Sequence, residues 1–290
     1  MKQLSSLCGK TPLIKINDSV YAKLETYNPT GSVKDRMVTY VLNKAIASGD
    51  IGPSTILCEA TSGNTGIALA AAAASLSLPC KIFMPSNMSE ERKQMMRVYG
   101  TTIIDAPEND FDAAIELRDE FLSAHSNAWT PNQFSNPDNI ECHRTITARE
   151  ISADVDKLGQ DWAAFIHGSG TGGTIEGIRQ YTSNNPYGEN INDTRVIMVV
   201  PDESPHGIQG IGDGRDFLAN PDDMYKVIRI KTEDAIARSR KFAKDTGILV
   251  GISSGANILA SERWAQENSH IDGIIVTMLC DRGERYMSVY

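Results

Sequence analysis

Strand-like and helical segments alternate along this 290-residue chain, and that alternation limits it to one broad architecture. Runs suited to strands occupy residues 55–58, 80–84, 101–104, 163–167, 196–200, 227–230 and 273–279. Helical patterns fill residues 64–77, 89–99, 111–124, 140–158, 173–181, 232–245 and 254–266 between them. This order predicts an α/β fold with mostly parallel sheets, because parallel neighbours need a crossover helix. Ligands in such folds gather at the carboxyl ends of strands, where strand order reverses. Three polar, glycine-bearing stretches stand at expected strand-to-helix junctions: Thr61-Ser-Gly-Asn-Thr-Gly66, Gly168-Ser-Gly-Thr-Gly-Gly-Thr174 and Gly251-Ile-Ser-Ser-Gly255. They are expected to converge.

A fourth stretch, Asn28-Pro-Thr-Gly-Ser-Val-Lys34-Asp-Arg36, opens another helix. Asn-Pro and a following glycine mark a turn. Ser32 stands where an N-cap belongs, with Asp35 three residues on in the place of the capping-box acid. Met37, Val38, Val41, Leu42, Ala45 and Ile46 then follow at helical spacing until Gly49 stops the run. Lys34 falls in the first turn, where the positive end of the helix disfavours an ammonium and should lower its pKa. An easily deprotonated lysine is what Schiff-base chemistry needs. A lone first-turn lysine is ordinarily a surface charge; the three loops are what set this one apart.

Each loop has a structural and a chemical reading. Gly168 to Thr174 suits a phosphate: glycines let amides approach an anion, Thr171 and Thr174 add hydroxyls, and the helix end favours negative charge. A tight structural turn is the equal alternative. The loop is neither a Walker A sequence nor a full G-x-G-x-x-G fingerprint. Thr61 to Thr65 offers amides and three hydroxyls to a carboxylate, or simply starts a helix well. Ser253 and Ser254 precede a further helix, with Ser254 the expected N-cap. By itself Gln133 is an ordinary loop residue.

The four stretches, in this order, resemble the fold-type II pyridoxal-phosphate enzymes, the cysteine synthase and cystathionine β-synthase group. The likeness runs from Thr11-Pro12-Leu13 to Gly283-Glu-Arg-Tyr286. It implies two three-layer α/β lobes of the tryptophan synthase β type. A small, mobile, substrate-binding lobe would span residues 35–140, and a large cofactor-binding lobe residues 1–34 plus 141–290. It implies pyridoxal 5'-phosphate as cofactor, with Lys34 as its covalent anchor and the catalytic base. Gly170, Thr171, Gly172, Gly173 and Thr174 would hold the phosphate, Asn64 the phenolic oxygen and Ser253 the pyridine nitrogen. Thr61, Ser62, Gly63, Thr65 and Gln133 would hold the substrate carboxylate. A neutral hydroxyl at the ring nitrogen leaves it largely unprotonated, which favours β-elimination over transamination. The reaction implied is β-replacement through an α-aminoacrylate; the resembled mechanism requires neither His167 nor His206.

Within the group, Glu59-Ala-Thr-Ser-Gly-Asn-Thr-Gly66, Met84-Pro-Ser-Asn-Met-Ser89, Gln133-Phe-Ser-Asn-Pro-Asp138 and Cys280-Asp-Arg-Gly-Glu-Arg-Tyr286 are similar to the B form of cysteine synthase. That form implies O-acetylserine as donor and sulfide, or thiosulfate, as nucleophile. It also implies a homodimer and serine acetyltransferase as a candidate partner. One stretch departs: Gly207-Ile-Gln-Gly-Ile-Gly-Asp-Gly-Arg215 is closer to the A form in its first half. Arg215 is either a phosphate-pairing residue, which would suit O-phosphoserine as donor, or a solvated charge beside Asp216. Cystathionine β-synthase-like condensation with homocysteine is the rival chemistry. A silent binding protein on the same fold is the non-enzymatic rival.

Composition narrows the partners. A net charge of −9 argues against a polyanion-binding surface, and no basic stripe or aromatic RNA motif is present. Five scattered cysteines show no C-x-x-C pair and no zinc-like spacing, so no metal site is expected. Cys58, Cys80 and Cys280 lie in or beside expected strands and read as buried free thiols of a reducing compartment. The N-terminus lacks an apolar core of signal-peptide length, and residues 68–78 are too few to span a bilayer. A cytoplasmic protein is expected, with neither nucleic acid nor membrane as partner.

Overall fold

The computed structural model describes residues 2–183, 194–212 and 218–290. Asp213, Arg215 and most of the expected 181–194 loop lie outside the described residues. In chain order the elements are α1 (Lys2–Leu7), β1 (Leu13–Lys15), β2 (Val20–Leu24), α2 (Lys34–Ser48), β3 (Ile56–Ala60), α3 (Asn64–Leu76), β4 (Cys80–Pro85), α4 (Glu90–Val98), β5 (Thr102–Ala106) and α5 (Phe111–Ala124). They continue as β6 (Ala128–Trp129), α6 (Pro137–Cys142), α7 (Ala148–Lys157), β7 (Trp162–Gly168), α8 (Gly173–Ser183), β8 (Arg195–Pro201), β9 (Lys226–Ile230), α9 (Thr232–Thr246), α10 (Ile252–Glu267) and β10 (Ile274–Leu279). They form two compact units, residues 1–8 with 28–133 and residues 9–27 with 134–290.

The first unit is a four-stranded parallel sheet in the order β5-β4-β3-β6. Alternate residues of its strands serve opposite faces, as a pleated strand requires. Leu57, Ile82 and Met84 pack with α2 and α3, whereas Cys58, Ala60 and Phe83 pack with Ala114 of α5. The result is helix, sheet and helix in three layers. Burial pushes the Cys58 and Cys80 thiols up to about 12, so neither is a reactive thiolate.

The second unit is a six-stranded sheet in the order β1-β2-β10-β7-β8-β9, parallel except for the edge pair β1 and β2. Every residue of β7 and β10 is buried, the continuous apolar run of a sheet covered on both faces. Ala164, Ile166, Ile197 and Ile275 pack with Ile252, Ala256 and Trp264 of α10; α8 packs on β7 and β8.

In both units strand order reverses once. In the first unit β3 leads to β4 on one side and has β6 on the other. In the second, β7 leads to β8 on one side and has β10 on the other. These two reversals are the ligand-binding positions of open α/β sheets.

Sequence reasoning differs from the structure in three places. Strands β1, β2 and β6 were not expected. β1 and β6 are only three and two residues long. β2 carries a lysine, Lys23, that is fully buried because its Nζ reaches Asp154 Oδ2 at 2.7 Å, Glu150 Oε1 at 2.7 Å and the Thr11 carbonyl at 2.6 Å. The single helix expected over residues 140–158 is broken by a π-helical turn, His143–Thr147, between α6 and α7. There α8 crosses so closely that a Cβ on Gly177 would lie 2.6 Å from the Ile140 carbonyl. Finally, no strand precedes the 251–255 loop. It joins α9 to α10, and Val250 makes only an isolated bridge to Arg282.

The stop at Gly49 is as expected: its φ of 88° is left-handed and its amide bonds back to Ala45 and Ile46. A Cβ there would meet no atom within 4 Å, so backbone strain alone opposes a side chain. Gly49→Ala is expected to cost about 1 kcal/mol of stability, read as a lower urea midpoint with unchanged slope.

Candidate active site

In the first unit, the Thr61 loop follows β3 and Gln133 follows β6, so they flank that unit's strand reversal. Thr65 Oγ1 donates to Gln133 Oε1 at 2.6 Å, joining the two sides. Thr61, Thr65 and Gln133 are buried, while Ser62, Gly63 and Asn64 are half-buried. Gly63 precedes α3 and no side chain caps the helix. Among the described residues the amides of Ser62 and Thr65 have no acceptor, which leaves donors for an anion at a helix start. The expected carboxylate loop thus has Gln133 attached to it.

Two buried charged groups that sequence reasoning missed support this loop. Glu59 of β3 is fully buried; its Oε1 accepts from Arg118 Nη1 at 2.9 Å and its Oε2 from the Gln133 amide at 3.1 Å. Burial holds the Glu59 carboxyl above its ordinary pKa, against Arg118 and the amides of Gln133 and Ala60, which lower it. Arg92 of α4 is buried as well and donates through Nη1 to the Ser62 carbonyl at 3.4 Å. An acid two residues before the loop and an arginine at a helix start carry no sequence signal of this role.

Lys34 is the first residue of α2 and is half-buried. Val33 holds the N-cap position expected of Ser32 and no side chain caps it; Ser32 and Asp35 fasten the turn instead. Ser32 Oγ accepts from the Lys34 amide at 3.3 Å, and Asp35 Oδ2 accepts from the amides of Ser32 at 3.4 Å and Thr30 at 3.0 Å. Thr30 Oγ1 adds a 2.7 Å bond to Asp35 Oδ1. The turn that presents Lys34 is therefore fastened at both its hydroxyls to one buried carboxylate and helix end.

In the second unit the Gly168 loop follows β7, beside β10, at that unit's strand reversal. It fits a phosphate group. Among the described residues the amides of Gly170, Thr171 and Gly172 have no acceptor, although Thr171 and Thr174 are buried. The carbonyls are used: Ser169 accepts from Gly212 at 2.7 Å and Thr171 from Leu218 at 3.0 Å. This orientation turns carbonyls inward and leaves amides for an anion. Gly172 has a φ of 86°, and a Cβ on it would lie 2.5 Å from the Ala219 amide. A Cβ on Gly173 would strike the Asn139 side chain. Asn139 Nδ2 donates to Thr171 Oγ1 at 3.0 Å, and His143 Nε2 lies 3.2 Å from Thr174 Oγ1. The irregular α6–α7 region thus supports the loop from behind.

A Cβ on Gly170 would lie 2.6 Å from the backbone carbonyl of Gly210. Gly170→Ala is expected to cost about 1–3 kcal/mol, read by urea denaturation, because backbone cannot yield as a side chain does.

Ser253 is buried in the first turn of α10, and its Oγ makes no hydrogen bond among the described residues. The segment carrying Gly210 passes over it, since a Cβ there would stand 3.6 Å from that Oγ. Ser254 is not the cap expected. Gly251 holds the N-cap position, and Ser254 Oγ instead accepts from the Cys280 amide at 2.9 Å. Its place in the helix lets it satisfy a strand end instead. His206 Nδ1 accepts from the Ile208 amide at 3.2 Å, and His167 Nδ1 lies 3.2 Å from Asn257 Nδ2. Among the described residues no cluster of three or more His, Cys, Asp or Glu could hold a metal, and no helix is long and apolar enough to cross a membrane.

Known proteins give this geometry a context. Residues 4–281 match the pyridoxal-phosphate dependent enzyme family. The chain is 37% identical to cysteine synthase B of Campylobacter jejuni, over 99% of this chain and 97% of that one. A hydrogen sulfide-producing enzyme of Fusobacterium nucleatum superposes with a TM-score of 0.91 at 37% identity, over 99% of this chain and 90% of the other. O-acetylserine sulfhydrylase isoform 3 of Entamoeba histolytica gives 0.89 at 34%, over 99% and 90%. With the match spanning nearly every residue and both strand reversals carrying anion-ready loops, the chain belongs to the pyridoxal-phosphate dependent enzymes, in the cysteine synthase family.

Proposed function

We propose that this protein makes L-cysteine by replacing the β-substituent of O-acetylserine with sulfide. The observation that carries this reading is the near-full-length likeness to cysteine synthase B; the loop amides left without an acceptor among the described residues at both strand reversals support it. In this reading Lys34 Nζ anchors pyridoxal phosphate and afterwards takes the proton from the substrate Cα. Gly170, Thr171, Gly172, Gly173 and Thr174 hold the phosphate, Ser253 faces the ring nitrogen and Asn64 the ring hydroxyl. Thr61, Ser62, Gly63, Thr65 and Gln133 grip the substrate carboxylate. Bound cofactor supplies the electron sink that lets the Cα proton and the β-substituent leave. A hydroxyl rather than a carboxylate at Ser253 keeps that sink shallow enough to favour elimination and addition at Cβ.

The residues expected as a substrate lobe, 35–140, bind the amino acid and, through Asn64, touch the cofactor ring; the remainder holds the rest of the cofactor. A homodimer is the proposed assembly, and a serine acetyltransferase the candidate partner. A cytoplasmic location suits the free thiols, four of them buried.

The test is spectral and kinetic. The purified protein should absorb near roughly 410 nm from its bound cofactor. It should form cysteine from O-acetylserine and sulfide faster than from O-phosphoserine and sulfide, and it should consume O-acetylserine faster with sulfide or thiosulfate than with homocysteine. A colourless protein, or one that forms no cysteine, would refute the proposal. The name of the Fusobacterium neighbour motivates one further assay, sulfide release from cysteine by the same protein.

A further inference from the structure

We infer that Asn257 is a positioning residue that holds the second unit's strand reversal open and sets the phosphate loop in place. The inference rests on the proposed function, since it concerns how that loop receives the cofactor phosphate.

β7 and β10 are paired only as far as Phe165 and Val276, although β7 continues to Gly168 and β10 to Leu279. Beyond that point side chains replace the ladder. Thr277 Oγ1 donates to the Ile166 carbonyl at 2.6 Å. One residue pair further on, the Asn257 carboxamide stands between the strands. Its Oδ1 accepts from the Gly168 amide at 2.8 Å and its Nδ2 donates to the Met278 carbonyl at 2.9 Å. The orientation of the carboxamide is determined by its partners, because a backbone N–H only donates and a carbonyl only accepts. The second Nδ2 hydrogen faces His167 Nδ1 at 3.2 Å and Cys280 Sγ at 3.4 Å. Asn257 is fully buried.

Three consequences follow for the loop. The separated strand ends form the crevice in which such folds bind ligands, and the carboxamide sets its width. Gly168 is the residue from which the loop departs, two before the first free amide at Gly170. Asn257 also lies one helical turn beyond Ser253 on α10. A single helix therefore carries the hydroxyl for the ring nitrogen and fixes the origin of the loop for the phosphate.

Removing the carboxamide leaves the Gly168 amide and the Met278 carbonyl unpaired in the interior, so the strand ends must shift and the loop with them. In holoenzyme, Asn257→Ala is expected to shift and broaden the ³¹P resonance of the bound cofactor. It should also weaken cofactor retention on dilution, followed by visible absorbance, about tenfold. Asn257→Asp keeps the shape and the acceptor for Gly168 and should recover part of both; it carries the test if the alanine variant does not fold. Ser261→Ala is the control on the same helix. It removes a buried 2.7 Å bond to the Asn257 carbonyl and should leave the resonance and the retention unchanged. A wild-type resonance and retention in Asn257→Ala, or equal changes in Ser261→Ala, would overturn the role of Asn257 alone. A wild-type protein with no bound phosphate resonance would overturn the proposed function together with it.

Discussion

Lys34→Ala is expected to lower turnover at saturating donor and sulfide by about 10³-fold or more, the scale of a lost proton-transfer group, and to remove the visible cofactor band. Folding should persist. Lys34 is half-buried at the first position of α2, and alanine is the better helix former there. The bonds among Thr30, Ser32 and Asp35 do not use the lysine side chain. Lys34→Arg should not restore activity, because a guanidinium keeps its proton and cannot serve as base or nucleophile. Turnover within tenfold of wild type in either variant, measured as cysteine formed, would remove Lys34 from the chemistry.

Glu59→Ala is expected to have the largest effect on stability, about 3–5 kcal/mol, the range for breaking a buried ion pair from one side. It takes the buried acceptor from Arg118 Nη1, leaving that side chain, among the described residues, only its Nε bond to Asp119, and leaves the amides of Ala60 and Gln133 without their acceptor. Glu59→Gln keeps the shape and one acceptor and should cost less, about 1–3 kcal/mol. Because Glu59 holds the Gln133 amide and Gln133 in turn receives Thr65, the Gln variant should raise KM for the donor more than it lowers kcat. The pH dependence has a definite sign. Burial raises the folded-state pKa of Glu59, so the folded chain binds its proton more tightly than the unfolded one. This group's contribution to stability therefore falls as pH rises through that raised value. Urea midpoints of wild type and Glu59→Gln should lie furthest apart at the acid end and draw together as pH rises through that value. Parallel curves would show that Glu59 titrates normally.

Both predictions start from residues of different legibility. Lys34 was readable because a turn, a capping acid and a helical apolar run lie within one contiguous stretch, Asn28 to Ile46. Glu59 was not, because its partner Arg118 is 59 residues away. Asn257 stands between these cases. Ser254, Asn257 and Ser261 recur at helical spacing and are fully buried, so a polar stripe was visible. Which strand ends it serves was not.

Local patterns by themselves determined the α/β class, most strands and helices, the stop at Gly49 and the glycine loops that mark the chemistry. Those features depend on neighbours a few residues apart, through periodicity, capping and turn preference. Tertiary structure alone decided where strand order reverses, that Thr65 meets Gln133, and that a carboxamide separates β7 from β10. It also placed the 251–255 loop between two helices and broke the 140–158 helix where α8 crosses it. Those outcomes depend on pairings distant in sequence and on burial, which changes the free energy of a charge or an amide without altering the residue that bears it.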